Sequence, residues 1–161
     1  MTHRDARPAS LVDLDRSPLT EGRTEALAAA LADLHAGSQP AARPWSAADF
    51  AGTLAQTSVF CLTLDSGFAL GRVILDEAEV LLIAVHQDAQ RRGYATTLMS
   101  DFGAHAQNLG ARTGFLDVAA SNTAARSLYR RCGWTEHGRR KGYYSLPGGS
   151  KDDALLMRKH L

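Results

Sequence analysis

Residues 90–95, with the sequence QRRGYA, combine features that can bind an anion. They follow the apolar run VLLIAV (80–85) and open a stretch with helical periodicity. The first turn of a helix leaves backbone N–H groups unpaired and carries partial positive charge. Gly93 lets a ligand approach the backbone, and Arg91 and Arg92 add charge at the rim. The segment therefore predicts a cradle for a pyrophosphate, although a polar helix start with an incidental glycine has the same pattern.

The composition of the 161-residue chain limits its class of function. Hydrophobic residues make up 45% and charged residues 22%, as in a globular protein. The net charge of +1 argues against a nucleic-acid partner, which needs a clustered positive excess. No G-x-G-x-x-G follows a strand, and PGGSK (147–151) lacks the spacing of a P-loop. A dinucleotide-binding or P-loop nucleotide site is therefore not expected.

Cys61 and Cys132 lie far apart and show no metal-ligand or C-x-x-C spacing. Both are expected to be reduced thiols of a cytosolic protein. The six histidines show no H-x-x-x-H spacing, so we expect no metal and interpret them as surface or rim residues. The N-terminus lacks the apolar core of a signal peptide, and no apolar run approaches the ~20 residues of a membrane span. These features predict a cytoplasmic protein without a membrane contact, and we expect a monomer or a weak dimer.

Hydrophobic periodicity and turn residues predict one α/β (α+β) domain over residues 1–161, with residues 1–10 loose. The element order includes strand–helix–strand units, which implies locally parallel strands in a mixed, mostly antiparallel central sheet flanked by helices. Turns are expected at 65–67, 76–77 and 147–149. The predicted helices are 20–35, 46–56, 91–109 and 122–132, and the predicted strands are 11–15, 58–65, 67–75, 79–85, 113–120, 134–145 and 153–161.

Several motifs together resemble the GNAT acetyltransferase superfamily. QRRGYA is similar to its acetyl-coenzyme A signature, Q/R-x-x-G-x-G/A, and SNTAARSLYRRCGW (121–134) is similar to its next segment. RPWSAADF (43–50), FLDVAASN (115–122) and GYYSLPGGSKDDALLM (142–157) resemble signatures of the ribosomal-protein-alanine N-acetyltransferases. The resemblance covers roughly residues 24–161, and the coarse element order is also similar to the GNAT fold.

The resemblance implies that acetyl-coenzyme A (acetyl-CoA) is the cosubstrate. In this superfamily two neighbouring strands splay apart at the cofactor site, and the pantetheine arm pairs with the free backbone of one of them. Gln90 is implied to order the pyrophosphate loop, and Asn122 to cap the later helix and contact the cofactor. The implied cofactor-binding residues are Ile83, Ala84, Val85, Gln90, Arg91, Arg92, Gly93, Tyr94, Ala95, Asn122 and Tyr129.

Two carboxylates are candidates for the base that deprotonates an amine acceptor. Asp117 stands where the resembling subfamily has glutamate, inside an apolar strand pattern where a carboxylate needs a partner or a function. Because aspartate is one methylene shorter, a bridging water is expected. Glu79 is the rival, since glutamates on the equivalent strand serve as base in several GNAT enzymes. A second departure, Gln87 in place of the usual proline, is expected to affect only the loop.

Tyr129 is implied to be the acid that protonates the departing thiolate. Periodicity alone would make it a core aromatic residue, and the resemblance changes that interpretation. The acceptor side is implied to include the second helix and the last hairpin, although the same aromatic residues could simply pack the fold. The implied substrate-binding residues are Trp45, Phe50, Tyr143 and Tyr144.

The resemblance predicts an acetyl-CoA-dependent N-acetyltransferase that acts by direct transfer in a ternary complex. The implied partner is a protein N-terminus, in the first instance the alanine of a small-subunit ribosomal protein. Two alternatives stay open: a GNAT enzyme that acetylates a small amine or a lysine side chain, and a non-catalytic acetyl-CoA-binding module.

Overall fold

The computed structural model describes residues 10–12, 21–40 and 43–161. The helices are α1 (Glu21–Gly37), α2 (Ala47–Leu54), α3 (Tyr94–Asn108) and α4 (Thr123–Arg131). The strands are β1 (Ser10–Val12), β2 (Val59–Leu64), β3 (Gly67–Ile74), β4 (Glu77–Val85), β5 (Thr113–Ala119), β6 (Thr135–Ser145) and β7 (Lys151–His160). This is the predicted order of elements.

The strands form one seven-stranded sheet in the order β1-β2-β3-β4-β5-β7-β6. Only β4 and β5 run parallel, because α3 connects them as a crossover, and the remaining neighbours are antiparallel. The predicted mixed, mostly antiparallel sheet is therefore confirmed. That the whole chain from 1 to 161 forms one domain stays a prediction. The predictions for residues 1–9, 13–15 and 20 concern positions outside the described residues.

β4 and β5 pair over only three residues and then separate. The pairing runs from Glu77–Thr113 to Glu79–Phe115, after which β4 continues to Val85 without β5 as a partner. A register shift opposite Leu70 and Gly71 marks a bulge at Leu81, and bulges bend the strand that contains them. The predicted splay is confirmed, and it leaves an edge of unpaired backbone on each side of a gap.

The helices divide between the two faces of the sheet. One core cluster joins α1 and α2 to the face that carries Cys61, Leu70 and Ala84. The other joins α3 and α4 to the opposite face, which carries Leu116 and Leu155. Because side chains alternate along a strand, the residues of β5 next to Leu116 point to the first face, beyond the area that α1 and α2 cover. We call this surface of β5, β7 and β6, which no helix of the described residues covers, the open face.

Two predicted boundaries were wrong because of left-handed backbone. The turn between β3 and β4 lies at 75–76 rather than 76–77, since Leu75 has φ +58° and Glu77 is already strand. Helix α3 begins at Tyr94 rather than Arg91. Arg91 (φ +62°) and the N-cap Gly93 (φ +89°) lie in the left-handed region, so the backbone cannot be helical before Tyr94.

Candidate functional site

The loop after β4 is held in place by the side chain of Gln90. Its amide nitrogen donates to the carbonyl of Val85 at 3.0 Å and to that of Ser38, at the end of α1, at 3.4 Å. His86 starts a short 3₁₀ turn, and its ring occupies the space that a Cβ on Gly37 would need, 2.4 Å from the Cδ2 atom. These hydrogen bonds tie Gln90 to the end of β4 and to the residue after α1, and its role in a pyrophosphate loop stays a prediction.

The N-terminus of α3 presents bare backbone. Gly93 is its N-cap, no side chain caps it, and a Cβ at Gly93 would have no neighbour within 4 Å. The amides of the first helical turn have no acceptor within the helix. Arg91 and Arg92 are exposed and make no ion pair with a described residue, whereas Arg139 is paired with Asp153 at 3.5 Å. This end of α3 therefore has the geometry and charge of an anion site.

Helix α4 places a phenol inside the core. The Asn122 side chain caps the helix by accepting from the amide of Ala125 at 3.1 Å. Tyr129 is 6% exposed, and burial raises its pKa well above the usual range, with the nearby Tyr144 and Cys132 adding to the effect. Its hydroxyl makes no hydrogen bond with a described residue. Tyr129 therefore has the core position that periodicity predicts, and its phenol is neutral and protonated.

Asp117 lies on the open face and is paired with a basic residue from another strand. Its side chain is 34% exposed, and Oδ2 accepts a hydrogen bond from Nη1 of Arg140 at 3.4 Å. Partial burial raises the pKa of the Asp117 carboxyl, Arg140 and His137 oppose that rise, and Glu79 adds to it. The partner expected for this carboxylate is therefore Arg140.

The rival carboxylate, Glu79, is bound more closely. It forms an ion pair and hydrogen bond with Arg72 of β3, which lies directly opposite it in the sheet. On the neighbouring strand β5, Glu79 is paired with Phe115. Phe115 is two residues from Asp117, so the two carboxylates share a face. The point where β4 and β5 separate thus has a carboxylate on each side.

Tyr143 and Tyr144 lie in an irregular part of β6, where the register with β7 shifts after Arg140. Their ring centroids are 5.2 Å apart at an interplanar angle of 86°. Tyr143 is exposed, and the Arg140 guanidinium lies 5.3 Å from its ring centroid, a cation–π distance. Tyr144 is half-buried, and its pKa is raised by burial and then by Asp117. These rings therefore border the same surface as Asp117.

Trp45 and Phe50 occupy different environments. Trp45 is partly buried with its ring 5.3 Å from that of Phe50, which is 0% exposed and packs on Phe68. Phe50 has no solvent-exposed surface, so the expectation that it contacts a substrate was wrong, and its role is to anchor α2 to the sheet.

His35 is also not a rim residue. It is 5% exposed, its Nδ1 accepts from the Trp45 amide at 3.1 Å, and burial lowers its pKa.

Four residues of the site were missed by the motif reasoning. Arg72 and Arg140 pair with the two carboxylates, and Phe115 and His137 contact one another with ring centroids 5.8 Å apart on the open face. Strand alternation places Phe115 beside Asp117 and could have identified it. Nothing local in the sequence links Arg140 to Asp117, because they are 23 residues apart and β7 lies between their strands.

In the part of the chain that the structure describes, no cluster of three or more histidine, cysteine or acidic side chains has a metal-binding arrangement. No helix within the same ranges is long and apolar enough to cross a membrane. Both cysteines are free, Cys61 is buried with its pKa raised by burial to about 12, and burial also raises the pKa of Cys132.

Comparison with known proteins gives consistent matches. Residues 24–134 match the family model described as Acetyltransferase (GNAT) family. The ribosomal protein bS18-alanine N-acetyltransferase of Escherichia coli K12 is 36% identical over 118 residues, which cover 71% of this chain and 79% of that protein. The crystal structure of the Escherichia coli ribosomal-protein-S18-alanine N-acetyltransferase has a TM-score of 0.72 and 31% identity, covering 94% of this chain and 93% of that one.

A more distant solved structure is a GNAT family acetyltransferase from Elizabethkingia anophelis with acetyl-CoA bound. Its TM-score is 0.58 at 20% identity, over 65% of this chain and 78% of that chain, which supports the fold. The splayed strands, the bare helix N-terminus after β4 and the family match over residues 24–134 agree. The chain therefore belongs to the acetyltransferase (GNAT) family and is an N-acetyltransferase.

Proposed function

We propose that this protein transfers acetyl from acetyl-CoA to the α-amine of a protein N-terminus that begins with alanine. The observation that carries the proposal is the gap between β4 and β5. The gap opens after Glu79, beside Asp117 on one face, and Val85 at the far end of β4 leads into the anion site of α3. A thioester that lies along this gap would have its phosphates at the helix and its acetyl group near the carboxylates.

The cofactor would be held mainly by backbone. The free edge of β4 at Ile83, Ala84 and Val85 offers strand-like hydrogen bonds to the amides of a pantetheine arm. The amides of residues 91–95 would bind the pyrophosphate, with Arg91 and Arg92 adding charge. Asn122, which caps α4 beyond β5, would lie on the opposite side of the arm. Bound CoA in a Bacillus subtilis acetyltransferase and acetyl-CoA in the Elizabethkingia enzyme support this cosubstrate.

The acceptor reaches the site as an ammonium and must lose a proton before attack. We assign this step to Asp117 rather than Glu79. Burial raises the pKa of Asp117, which brings a carboxylate closer to the operating pH that suits a general base. Glu79 is occupied by Arg72. In this mechanism the Asp117 carboxylate accepts the proton through a bridging water.

The acyl transfer itself needs no covalent intermediate. The neutral amine attacks the thioester carbonyl, a C–N bond forms, and the C–S bond breaks with its electron pair on sulfur. Tyr129, which burial keeps protonated, donates its proton to that thiolate, and the second proton, which the new amide nitrogen loses, passes through water to restore the phenol. The raised pKa of Cys61 and Cys132 makes a cysteine nucleophile an unsuitable alternative.

The acceptor class rests on similarity and on the open face. Relatives at 36–38% identity from Escherichia coli and Salmonella typhimurium are named ribosomal protein bS18-alanine N-acetyltransferases. The exposed ring of Tyr143, the half-buried Tyr144 and the partly buried Trp45 offer an aromatic border for an extended peptide. A ribosomal small-subunit protein is the acceptor we propose, as a transient partner in the cytoplasm.

The test is an acceptor panel with purified protein and acetyl-CoA. Release of free thiol with an alanine-starting ribosomal peptide, and mass-spectrometric localisation of the acetyl group to its α-amine, are the expected results. The matched control is the same peptide with a pre-acetylated N-terminus and an internal lysine. Transfer to that lysine, to a polyamine or to an aminoglycoside at a higher kcat/KM would contradict the proposal. No thiol release with any amine, despite acetyl-CoA binding, would favour a non-catalytic module.

A further inference from the structure

Arg140 reaches Asp117 across an intervening strand. Arg140 lies opposite Ala154 of β7, and Asp117 lies opposite Leu156 of the same strand, so β7 separates them. Adjacent strands are about 4.8 Å apart, so the two backbones are about 10 Å apart. Only a long side chain passing over a small residue can bridge that distance, and Ala154 is the small residue at this position. The Arg140–Asp117 pair therefore depends on the arrangement of three strands on the open face.

The guanidinium has a second contact that fixes its direction. It lies 5.3 Å from the ring centroid of Tyr143 while Nη1 contacts Asp117. The backbone between Arg140 and Tyr144 bulges away from β7, and the Gly142 amide donates to Asp153 at 2.8 Å, which fixes the bulge. A planar cation can stack on a ring and bond a carboxylate at the same time, which an ammonium does less well.

We propose that Arg140 is a positioning residue of the acyl-transfer site, which holds the Asp117 carboxylate ionised and aimed at the acceptor and orients the Tyr143 ring beside it. The inference rests on the proposed function, in which Asp117 is the base. The charged and titratable groups that face Asp117 are Glu79 from β4, which Arg72 of β3 neutralises, and His137, Arg140 and Tyr144 from β6. On β7, Ala154 and Leu156 lie beside Asp117, and two charged residues lie on the same face: Arg158, which is opposite Phe115, and Asp152, which is opposite Tyr144.

The effect follows from the sign of the charge. Arg140 favours the ionised form of Asp117 against partial burial and the like charge of Glu79. Removing that cation leaves Asp117 protonated to a higher pH, so the acidic limb of the kcat/KM profile should move upward. Because both side chains are partly exposed, solvent screens their interaction and keeps its effect on the carboxylate small. The limb should therefore shift by roughly half a pH unit, a loss of about threefold on that limb.

The experiment compares Arg140→Gln with Arg139→Gln, the neighbouring arginine that pairs with Asp153 instead. The kcat/KM for the alanine-starting peptide is measured against pH at low ionic strength, with chromatography of the acetylated product. We expect the acidic limb to move only in Arg140→Gln and to return toward wild type in Arg140→Lys. In an Asp117→Asn background, Arg140→Gln should cause no further loss, because the two residues act as a unit. Acetyl-CoA Kd should stay within twofold throughout.

Profiles of Arg140→Gln and wild type that superimpose would overturn the inference, as would an additive loss in the Asp117→Asn background. In either case an active wild type leaves the proposed function standing. An inactive wild type would instead refute the proposed function. If Arg140→Gln lowers the Tm by several degrees, Arg140→Lys decides the matter. Lysine keeps the positive charge but loses the planar guanidinium, so it should still cost activity without moving the acidic limb as far.

Discussion

Glu79, at the last rung before β4 and β5 separate, and Asp117, two residues beyond that rung on β5, face the same side of the sheet, and each carboxylate has its own arginine. Glu79 is paired with Arg72 of its neighbouring strand, and Asp117 with Arg140 from two strands away. Two carboxylates this close repel one another, and Glu79 indeed raises the pKa of Asp117. The arrangement gives Glu79 a fixed structural pairing and leaves Asp117, whose contact with its arginine is longer, available for proton transfer.

The first prediction separates these two carboxylates. Asp117→Asn should reduce kcat by about 10²–10⁴-fold, because the general base is lost. Glu79→Gln should reduce it by less than about tenfold, because Arg72 is then unpaired but the base remains. Steady-state kinetics with a saturating alanine-starting peptide, together with acetyl-CoA Kd by calorimetry, gives both values.

The acidic limb of the pH profile of kcat/KM tests whether Asp117 or Glu79 is the base. The pKa of Asp117 is raised by burial, so activity should be present above that pKa and be lost as the pH falls through it. The limb should disappear in Asp117→Asn and survive in Glu79→Gln. The reverse result, with the limb lost in Glu79→Gln, would make Glu79 the base.

The second prediction concerns the backbone at the start of α3. Gly93→Val should weaken acetyl-CoA binding by tenfold or more, because a branched side chain at φ +89° strains the loop and covers the exposed amides. Gly110→Val is a matched control at the other end of the same helix, with φ +96° and equally open surroundings. Both variants should lose a similar amount of stability, about 1–2 kcal/mol.

Only the comparison between these two glycines is informative. Kd for acetyl-CoA is measured by calorimetry and Tm by thermal denaturation for both variants. Equal affinities in Gly93→Val and Gly110→Val would mean that the cofactor does not contact the bare end of α3.

Much of the fold could be predicted from local patterns, since helix periods, turn glycines and apolar strands each act over a few residues. The elements around Gly93 and Asn122 were placed within three residues, because their caps depend on the immediate sequence. The Arg140–Asp117 pair was beyond such reasoning. It depends on β7 entering between β5 and β6 and on a bulge at 141–143, neither of which leaves a local signal. His35 was misjudged for the same reason, since the group that donates to its Nδ1, the Trp45 amide, is ten residues away.

The third prediction follows from His35. Burial lowers its pKa, so the folded protein keeps it neutral while the unfolded chain takes up a proton below the ordinary value of a histidine. Stability should therefore be full above about pH 7 and fall as the pH drops toward about 5.5. His35→Asn keeps an acceptor for the Trp45 amide but cannot titrate. It should cost about 1–3 kcal/mol at neutral pH because of the smaller side chain.

The comparison is made by denaturant titration at about pH 7.5 and about pH 5.5. The free energy of unfolding of the wild type should fall more between the two than that of His35→Asn, and other titrating groups cancel in the difference. An equal fall in both proteins would show that His35 does not titrate differently in the folded and unfolded states.

The fourth prediction tests the buried phenol on α4. Tyr129→Phe should reduce kcat by about 10²–10⁴-fold while acetyl-CoA Kd stays within about twofold, since only a proton donor to the departing thiolate is removed. Burial raises the pKa of Tyr129, so the wild-type phenol stays protonated through the neutral range. Tyr143→Phe, which removes the hydroxyl of an exposed ring but keeps its face toward Arg140, is the control and should retain turnover.

The loss of turnover in Tyr129→Phe should be smaller with a thioester whose thiol is more acidic, because that leaving group needs less protonation. Full turnover in Tyr129→Phe, or a loss that is the same with every thioester, would exclude the phenol as the acid.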